Sequence, residues 1–102
     1  MNTKSAITAL AALAQESRLA VFRLLVTTGP QGLAASKIAE ALNVPASSLS
    51  FHLKELAHAG LISAKQEGRF IIYSANFTEM QALMDFLSEN CCQGQSCALN
   101  SA

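Results

Sequence analysis

The chain lacks tryptophan, and none of its three cysteines lies within the first 90 residues. No apolar run approaches the ~20 residues that span a bilayer. No signal peptide with a cleavage site is evident either, so we expect a cytoplasmic protein without a membrane segment. The acidic residues form no pair typical of acid–base catalysis. Because Ser, Cys and His are too far apart for a nucleophilic site, an enzyme is not expected.

Positive charge is absent from the C-terminal part of the chain. Residues 76–102 contain three acidic residues and no Lys or Arg, whereas residues 1–75 hold all seven basic residues against four acidic ones. The net charge of zero is therefore the sum of a mildly basic part, residues 1–75, and an acidic tail, residues 76–102. This distribution of charge is compatible with nucleic-acid binding but does not by itself indicate it. Half of the 102 residues are apolar, which indicates a single globular domain with a modest core.

The stretch Pro45–Leu61 organises the rest of the chain. Its apolar residues Leu49, Leu53 and Leu56 recur at helical spacing, so one side of a helix faces inward. Hydroxyls, a lysine and an aromatic ring on the other side suit contact with phosphates and base edges in a DNA major groove. From this pattern alone, an ordinary amphipathic helix is the simpler interpretation. The residues opposite or flanking the inward side are Ser47, Ser48, Ser50, Phe51, Lys54, Glu55 and His58.

The elements around this helix favour DNA binding. Residues 36–42 predict a short helix, and the turn at 43–45 joins it to the organising helix as in a helix-turn-helix. Residues 61–64 and 70–74 predict two strands, joined by residues 65–69 with Gly68 in the turn. This hairpin would be the wing of a winged helix. Its tip would carry Lys65 and Arg69, which suit contact with the DNA backbone.

Three further helices complete the predicted fold. They are expected at residues 5–14, at Glu16–Thr28, and from Asn76 or Thr78 to about Asn90. The first is apolar almost all round, which is typical of a buried helix or a subunit interface. The fold class is therefore mainly α with a small β-hairpin: a winged helix-turn-helix of five helices plus a two-stranded wing. It would occupy residues 1–90, followed by a cysteine-containing tail at 91–102.

The order and spacing of these motifs resemble the ArsR/SmtB family of winged-helix repressors. The resemblance covers roughly residues 6–90. It implies a homodimer built on the first and last helices, with the two organising helices in successive major grooves of a near-palindromic operator. The matching motifs are Glu16-Ser17-Arg18-Leu19, then Ser50-x-His52-Leu53-x-x-Leu56-x-x-x-Gly60-Leu61, then Gly68-Arg69-x-x-x-Tyr73.

Two effector sites known in this family do not fit the chain. One places a Cys-x-Cys pair at the start of the third helix, where this chain has Ala34-Ala35-Ser36-Lys37. The other binds zinc through Asp and His on the last helix. This helix has Asp85 but no His.

The tail remains as the candidate sensor, because Cys91, Cys92 and Cys97 lie within seven residues. Such a cluster in an otherwise cysteine-free cytosolic protein favours a soft metal or metalloid over a structural disulfide. Gly94 would break the helix and let Cys97 fold back. Three thiolates suit As(III) or Sb(III), whereas zinc usually takes four ligands. Similar family members with this cysteine arrangement are arsenite-responsive repressors. Cd(II), Pb(II), thiol oxidation and no ligand remain open.

Two classes of function follow from these observations. The first is a repressor that binds operator DNA as a homodimer and is released by As(III) or Sb(III). The second is a winged-helix module for protein–protein contact that does not bind DNA. Lys65 and Arg69 favour the first class. The residues predicted to contact DNA are Ser47, Ser48, Ser50, Phe51, His52, Lys54, Lys65 and Arg69.

Overall fold

The computed structural model describes residues 1–94 and contains five α-helices and a small antiparallel sheet. The predictions for residues 95–102, including Cys97, lie outside the described residues. The winged helix-turn-helix fold is confirmed. Its helices are α1 Thr3–Leu13, α2 Glu16–Thr28, α3 Ala35–Leu42, α4 Ala46–His58 and α5 Phe77–Ser88, and its strands are β1 Leu33–Ala34, β2 Ile62–Glu67 and β3 Phe70–Ala75. None of the described helices is long and apolar enough to cross a membrane.

The wing is longer than the sequence predicted, and its turn is shorter. Strands β2 and β3 stay paired out to Glu67 opposite Phe70, so the turn consists only of Gly68 and Arg69. Gly68 has a φ of +63°, which a two-residue hairpin turn requires at its first position. Lys65 was predicted at the tip of the wing. It lies instead inside β2, opposite Ile72 of β3. A third strand that the sequence did not predict, β1, pairs with the other edge of β3.

The core lies between α2, α3, α4 and the base of the wing. The inward side of α4 is as predicted, since Leu49, Leu53 and Leu56 are all buried. They pack in one cluster with Leu25 and Leu61, each of which is completely buried. This packing fixes the rotation of α4 about its axis and thereby determines which of its side chains face solvent.

Helix α1 packs through alanines rather than through its larger residues. Ala6, Ala9 and Ala12 form its buried stripe, while Ile7 is 60% exposed and Leu10 is 41% exposed. Small side chains let α1 approach α2 and α4 closely, so its larger apolar residues are left on the outer side. The helical spacing of Leu19, Phe22 and Val26 in α2 predicts that all three face inward, but Leu19 is exposed at 43%.

The turn between α3 and α4 sets the start of the organising helix. Asn43 ends α3 in the left-handed conformation with a φ of 54°, and the N–H of Val44 donates to the carbonyl oxygen of Ala39. Pro45 then precedes the first turn of α4 with an extended backbone. Asn tolerates a left-handed φ better than most side chains do, so this turn follows from the local sequence.

Candidate DNA-binding surface and cysteine pair

Helix α4 presents an uninterrupted row of exposed polar residues at its start. Ser47, Ser48 and Ser50 are exposed, as is Lys54 one turn further on. No side chain caps the N-terminus of α4, because Pro45 stands at that position. Within residues 1–94, the N–H groups of the first turn of α4 therefore have no side-chain acceptor, and such groups bind phosphate oxygens readily.

Phe51 and His52 differ in how far they reach out of this surface. Phe51 is 55% exposed, whereas His52 is only partly exposed and its Nδ1 is buried without a hydrogen-bond partner among the described residues. Their rings meet edge to face with centroids 5.8 Å apart. His52 thus lies at the edge of the exposed side, as its position in the sequence suggested.

The wing begins directly after α4 and carries both predicted cations in exposed positions. The N–H of Leu61 donates to the carbonyl oxygen of Leu56, and the neighbouring Ile62 is buried, so the base of the wing is anchored on α4. Lys65 and Arg69 are exposed further along the hairpin. Helix α4 and the base of the wing are therefore in direct contact.

A hollow of about 420 Å³, which was not predicted from the sequence, is lined by residues of α1, α2 and α4. Arg18 of α2 borders it and donates from Nε to the carbonyl oxygen of Ala12 at 2.7 Å, which ties the end of α1 to α2. Phe51 and His58 line the hollow from α4, opposite Ile7 of α1. Phe51 consequently faces α1 as well as solvent, which sets it apart from the serines.

Two residues separate the cysteine pair from α5, because this helix ends at Ser88, two residues before the predicted end at about Asn90. The helix thus ends before Cys91, so no break at Gly94 is needed to end it. Asn90, Cys92 and Gln93 have φ values of 57°, 56° and 59°, so the segment Cys91–Gly94 is kinked and is not a regular helical turn. This backbone brings the two Sγ atoms to 3.3 Å from each other.

The structure thus brings together two of the three predicted metalloid ligands. Cys97 lies outside the described residues, and within residues 1–94 no group of three His, Cys, Asp or Glu side chains could hold a metal ion. The role of the cysteines therefore stays a prediction, as do the individual DNA contacts of the α4 and wing residues.

Comparison with known proteins identifies the family. The sequence profile of a helix-turn-helix domain family matches residues 13–63. The transcriptional activator HlyU of Vibrio cholerae is 29% identical over 92 residues, which cover 90% of this chain and 82% of HlyU.

Two solved structures are similar over most of the chain. An ArsR-like transcriptional regulator from Rhodococcus sp. RHA1 superposes with a TM-score of 0.77 at 26% identity, covering 89% of this chain and 83% of that one. The homodimeric winged helix-turn-helix DNA-binding domain of Mb0332 from Mycobacterium bovis shares the fold with a TM-score of 0.67 at 23% identity, covering 92% and 87%. The chain therefore belongs to the helix-turn-helix domain family, and its winged helix is of the type found in ArsR-like transcriptional regulators.

Proposed function

We propose that this protein is a homodimeric transcriptional repressor that leaves its operator when As(III) or Sb(III) binds Cys91, Cys92 and Cys97. The observation that carries the DNA-binding part is the exposed row of serines at the uncapped start of α4, beside a wing with two exposed cations. Its hydroxyls and N–H groups suit phosphates and base edges, and the cations suit phosphates. The polar side of α4 therefore occupies a major groove.

Exposed apolar side chains on α1 and α5 support the homodimer. Ile7 and Leu10 on α1 are 60% and 41% exposed, while Met84 and Leu87 on α5 are 54% and 60% exposed. A helix that carries such residues outward is typical of a subunit interface. The Mb0332 domain, which has the same fold, is homodimeric. Two-fold symmetry then implies an operator with two half-sites about one helical turn apart.

The separation of the two thiols supports a three-coordinate centre. The two sulfurs lie 3.3 Å apart, so one centre could bind both after a small movement. As(III) takes three thiolates and needs no fourth ligand, whereas zinc usually takes four ligands. Arsenous acid would exchange its three hydroxyl groups for the sulfurs of three thiols, and each S–H proton would leave with one hydroxyl group as water.

The coupling between the two sites requires a difference in metalloid affinity between two dimer states. A ligand shifts an equilibrium only as far as it binds one state better than the other. Because the thiols follow α5 directly, closing a three-sulfur ring would pull on the last turn of a helix in the proposed dimer interface. The DNA-bound dimer would disfavour that geometry. Allosteric couplings of this kind are typically about 1–3 kcal/mol.

Fluorescence anisotropy with the promoter DNA upstream of the protein's own gene tests the proposal. We expect the reduced protein to bind as a dimer and arsenite or antimonite to release it. Cd(II), Pb(II) and a thiol oxidant, added separately, test the other interpretations of the cysteines. A transcription assay from the same promoter tests whether the protein represses or activates transcription, since HlyU is named an activator. Absence of DNA binding at low salt would contradict the whole proposal, whereas binding that arsenite leaves unchanged would contradict the sensing part.

A further inference from the structure

The hollow lined by α1, α2 and α4 has a volume in the range of small-molecule sites. It measures about 420 Å³, and ligand sites in proteins typically span about 300–1,000 Å³. Much of its lining is apolar, so a ligand of this hollow needs an apolar part. The apolar residues that line it are Ile7, Ala11, Ala12, Phe51 and Ala59.

Arg18 brings a fixed cation to this hollow from α2. The side chain is half-buried, and its Nε donates to the carbonyl oxygen of Ala12 at 2.7 Å. Among residues 1–94, its two Nη groups have no hydrogen-bond or ion-pair partner. A guanidinium held in one orientation can bind a carboxylate through two parallel hydrogen bonds and loses little side-chain entropy on doing so. Arg18 therefore suits the carboxylate of a ligand.

Glu55 brings the opposite charge from α4. Its side chain is half-buried in the lining of the hollow, and within the described part of the chain its carboxylate pairs neither with Arg18 nor with another group. The other polar side chains add no fixed charge here. Thr8 donates its hydroxyl to the carbonyl oxygen of Lys4 at 3.1 Å, and His58 is exposed. One cation and one carboxylate in a largely apolar hollow match a ligand that carries both charges.

We propose that this hollow binds an α-amino acid with a large apolar side chain. The Nη groups of Arg18 bind its carboxylate, Glu55 binds its ammonium group, and its side chain packs on Phe51 and Ala11. A carboxylic acid without the ammonium group would bring a second negative charge close to Glu55. An amine without the carboxylate would bring a second positive charge close to Arg18. A charge removed from water without a partner is costly, so the zwitterion is preferred to either. This site does not depend on the proposed DNA-binding function.

Calorimetric titration of the full chain with L-phenylalanine tests the proposal. Two matched probes carry the same ring: 3-phenylpropionate lacks the ammonium group, and 2-phenylethylamine lacks the carboxylate. We expect L-phenylalanine to bind at least about tenfold more tightly than either probe, because each probe loses one charge-assisted pair. An equal affinity for all three would overturn the assignment of the two charges.

Substitutions locate the binding in the hollow. Glu55→Gln keeps the size of the side chain and removes its charge, so it should weaken L-phenylalanine about tenfold without weakening 3-phenylpropionate. Ala11→Leu fills the hollow from an exposed position of α1 and should abolish binding of both. Ala57→Leu, at an exposed position of α4 outside the lining, is the control and should bind like the wild type. Arg18 is kept, because its bond to Ala12 also ties α1 to α2.

The remaining outcomes each decide the proposal. No binding of L-phenylalanine at millimolar concentration overturns it, as does binding that Ala11→Leu leaves unchanged. If Glu55→Gln weakens L-phenylalanine and 3-phenylpropionate by the same factor, the ligand is not an amino acid. Because Ala11 is exposed, the leucine variant should fold like the wild type, and thermal unfolding checks this. None of these titrations contains DNA, so their failure leaves the proposed function standing.

Discussion

Asn76 donates a hydrogen bond from its side-chain Nδ2 to the carbonyl oxygen of Gly60 at 3.0 Å. Its Oδ1 accepts the backbone N–H of Glu79, and its own backbone N–H donates to the carbonyl oxygen of Leu61. One residue therefore joins the end of α4, the base of the wing and the start of α5. Since α5 leads to the cysteines, Asn76 connects the helix that precedes the proposed sensor to the proposed DNA-binding surface.

Replacing Asn76 tests that link. Asn76→Ala removes the cap of α5 and the bond to Gly60, so we expect about 1–2 kcal/mol less stability in urea unfolding. The matched variant Asn76→Asp keeps an oxygen for the N–H of Glu79 but cannot donate to Gly60 when ionised. We expect it to bind DNA and to respond less to arsenite. An unchanged arsenite response in the aspartate variant would show that this bond does not carry the coupling.

Arg69 and Ser50 should affect DNA binding in different ways. Arg69→Ala should weaken binding to all sequences alike and lower the salt slope by about one, because a phosphate contact is lost. Ser50→Ala should instead change the preference at one base pair, by about 1–3 kcal/mol if the contact is well aligned. Anisotropy titrations at several salt concentrations measure both effects.

An exposed cation outside the proposed surface provides the control for Arg69. Lys4 lies at the start of α1, and Lys4→Ala should leave the salt slope unchanged. If Arg69→Ala and Lys65→Ala both have the same affinity and salt slope as the wild type and Lys4→Ala, the wing does not contact phosphate.

A charge on the apolar side of α5 should separate the subunits. Leu87→Glu places a carboxylate where the proposed partner helix packs, so we expect monomers in sedimentation at micromolar concentration and DNA affinity at least about tenfold lower. Thr78→Glu adds the same charge near the start of α5, on the side that holds Gln81 and Asp85, and should stay dimeric. A dimer that persists in Leu87→Glu would place the interface elsewhere.

Replacing the cysteines should change the release of the protein from DNA by arsenite and should leave DNA binding itself unchanged. We expect Cys91→Ser and Cys92→Ser to bind DNA like the wild type and to resist arsenite, and Cys97→Ser to respond more weakly. Gln93→Ala, between the thiols, should respond normally. Truncation after Asn90 should give a protein that stays on DNA with arsenite present. If the truncated protein is still released, the tail is not the sensor.

The pH dependence should distinguish a metalloid from a divalent ion. Binding of Cd(II) to thiols releases protons, so its affinity should fall steeply as pH falls. Arsenous acid would exchange hydroxyl groups for thiols with release of water, so its affinity should change little between pH 6 and pH 8, on the order of a few fold. Titrations followed by the ultraviolet absorbance of the metal–sulfur bonds measure both. A steep fall for arsenite would contradict the three-thiol exchange.

Elements with local signals were predicted closely from the sequence. Helix α2 has the predicted bounds, since Gly29 and Pro30 end it, and the three leucines of α4 are buried as expected. Strand β1 gave no such signal, because two residues become a strand only through pairing with Ile72 and Tyr73 far along the chain. The predicted position of Lys65, at the tip of the wing, was wrong for the same reason. The polar end of β2 has little strand propensity of its own and is held by its partner strand.

The sequence by itself determined the order of the elements, the inward side of α4, the basic character of the wing and the grouping of the cysteines. Local propensity, hydrophobic periodicity and turn residues act over a few neighbouring positions, so the features that they determine can be predicted from the sequence. The tertiary structure decided which apolar residues stay outside. Ile7, Leu19, Phe70 and Leu87 look like core residues in the sequence, yet all are exposed. Burial depends on which elements meet. Helix α1 packs through its alanines and the wing extends beyond the core, so within residues 1–94 these side chains stay exposed.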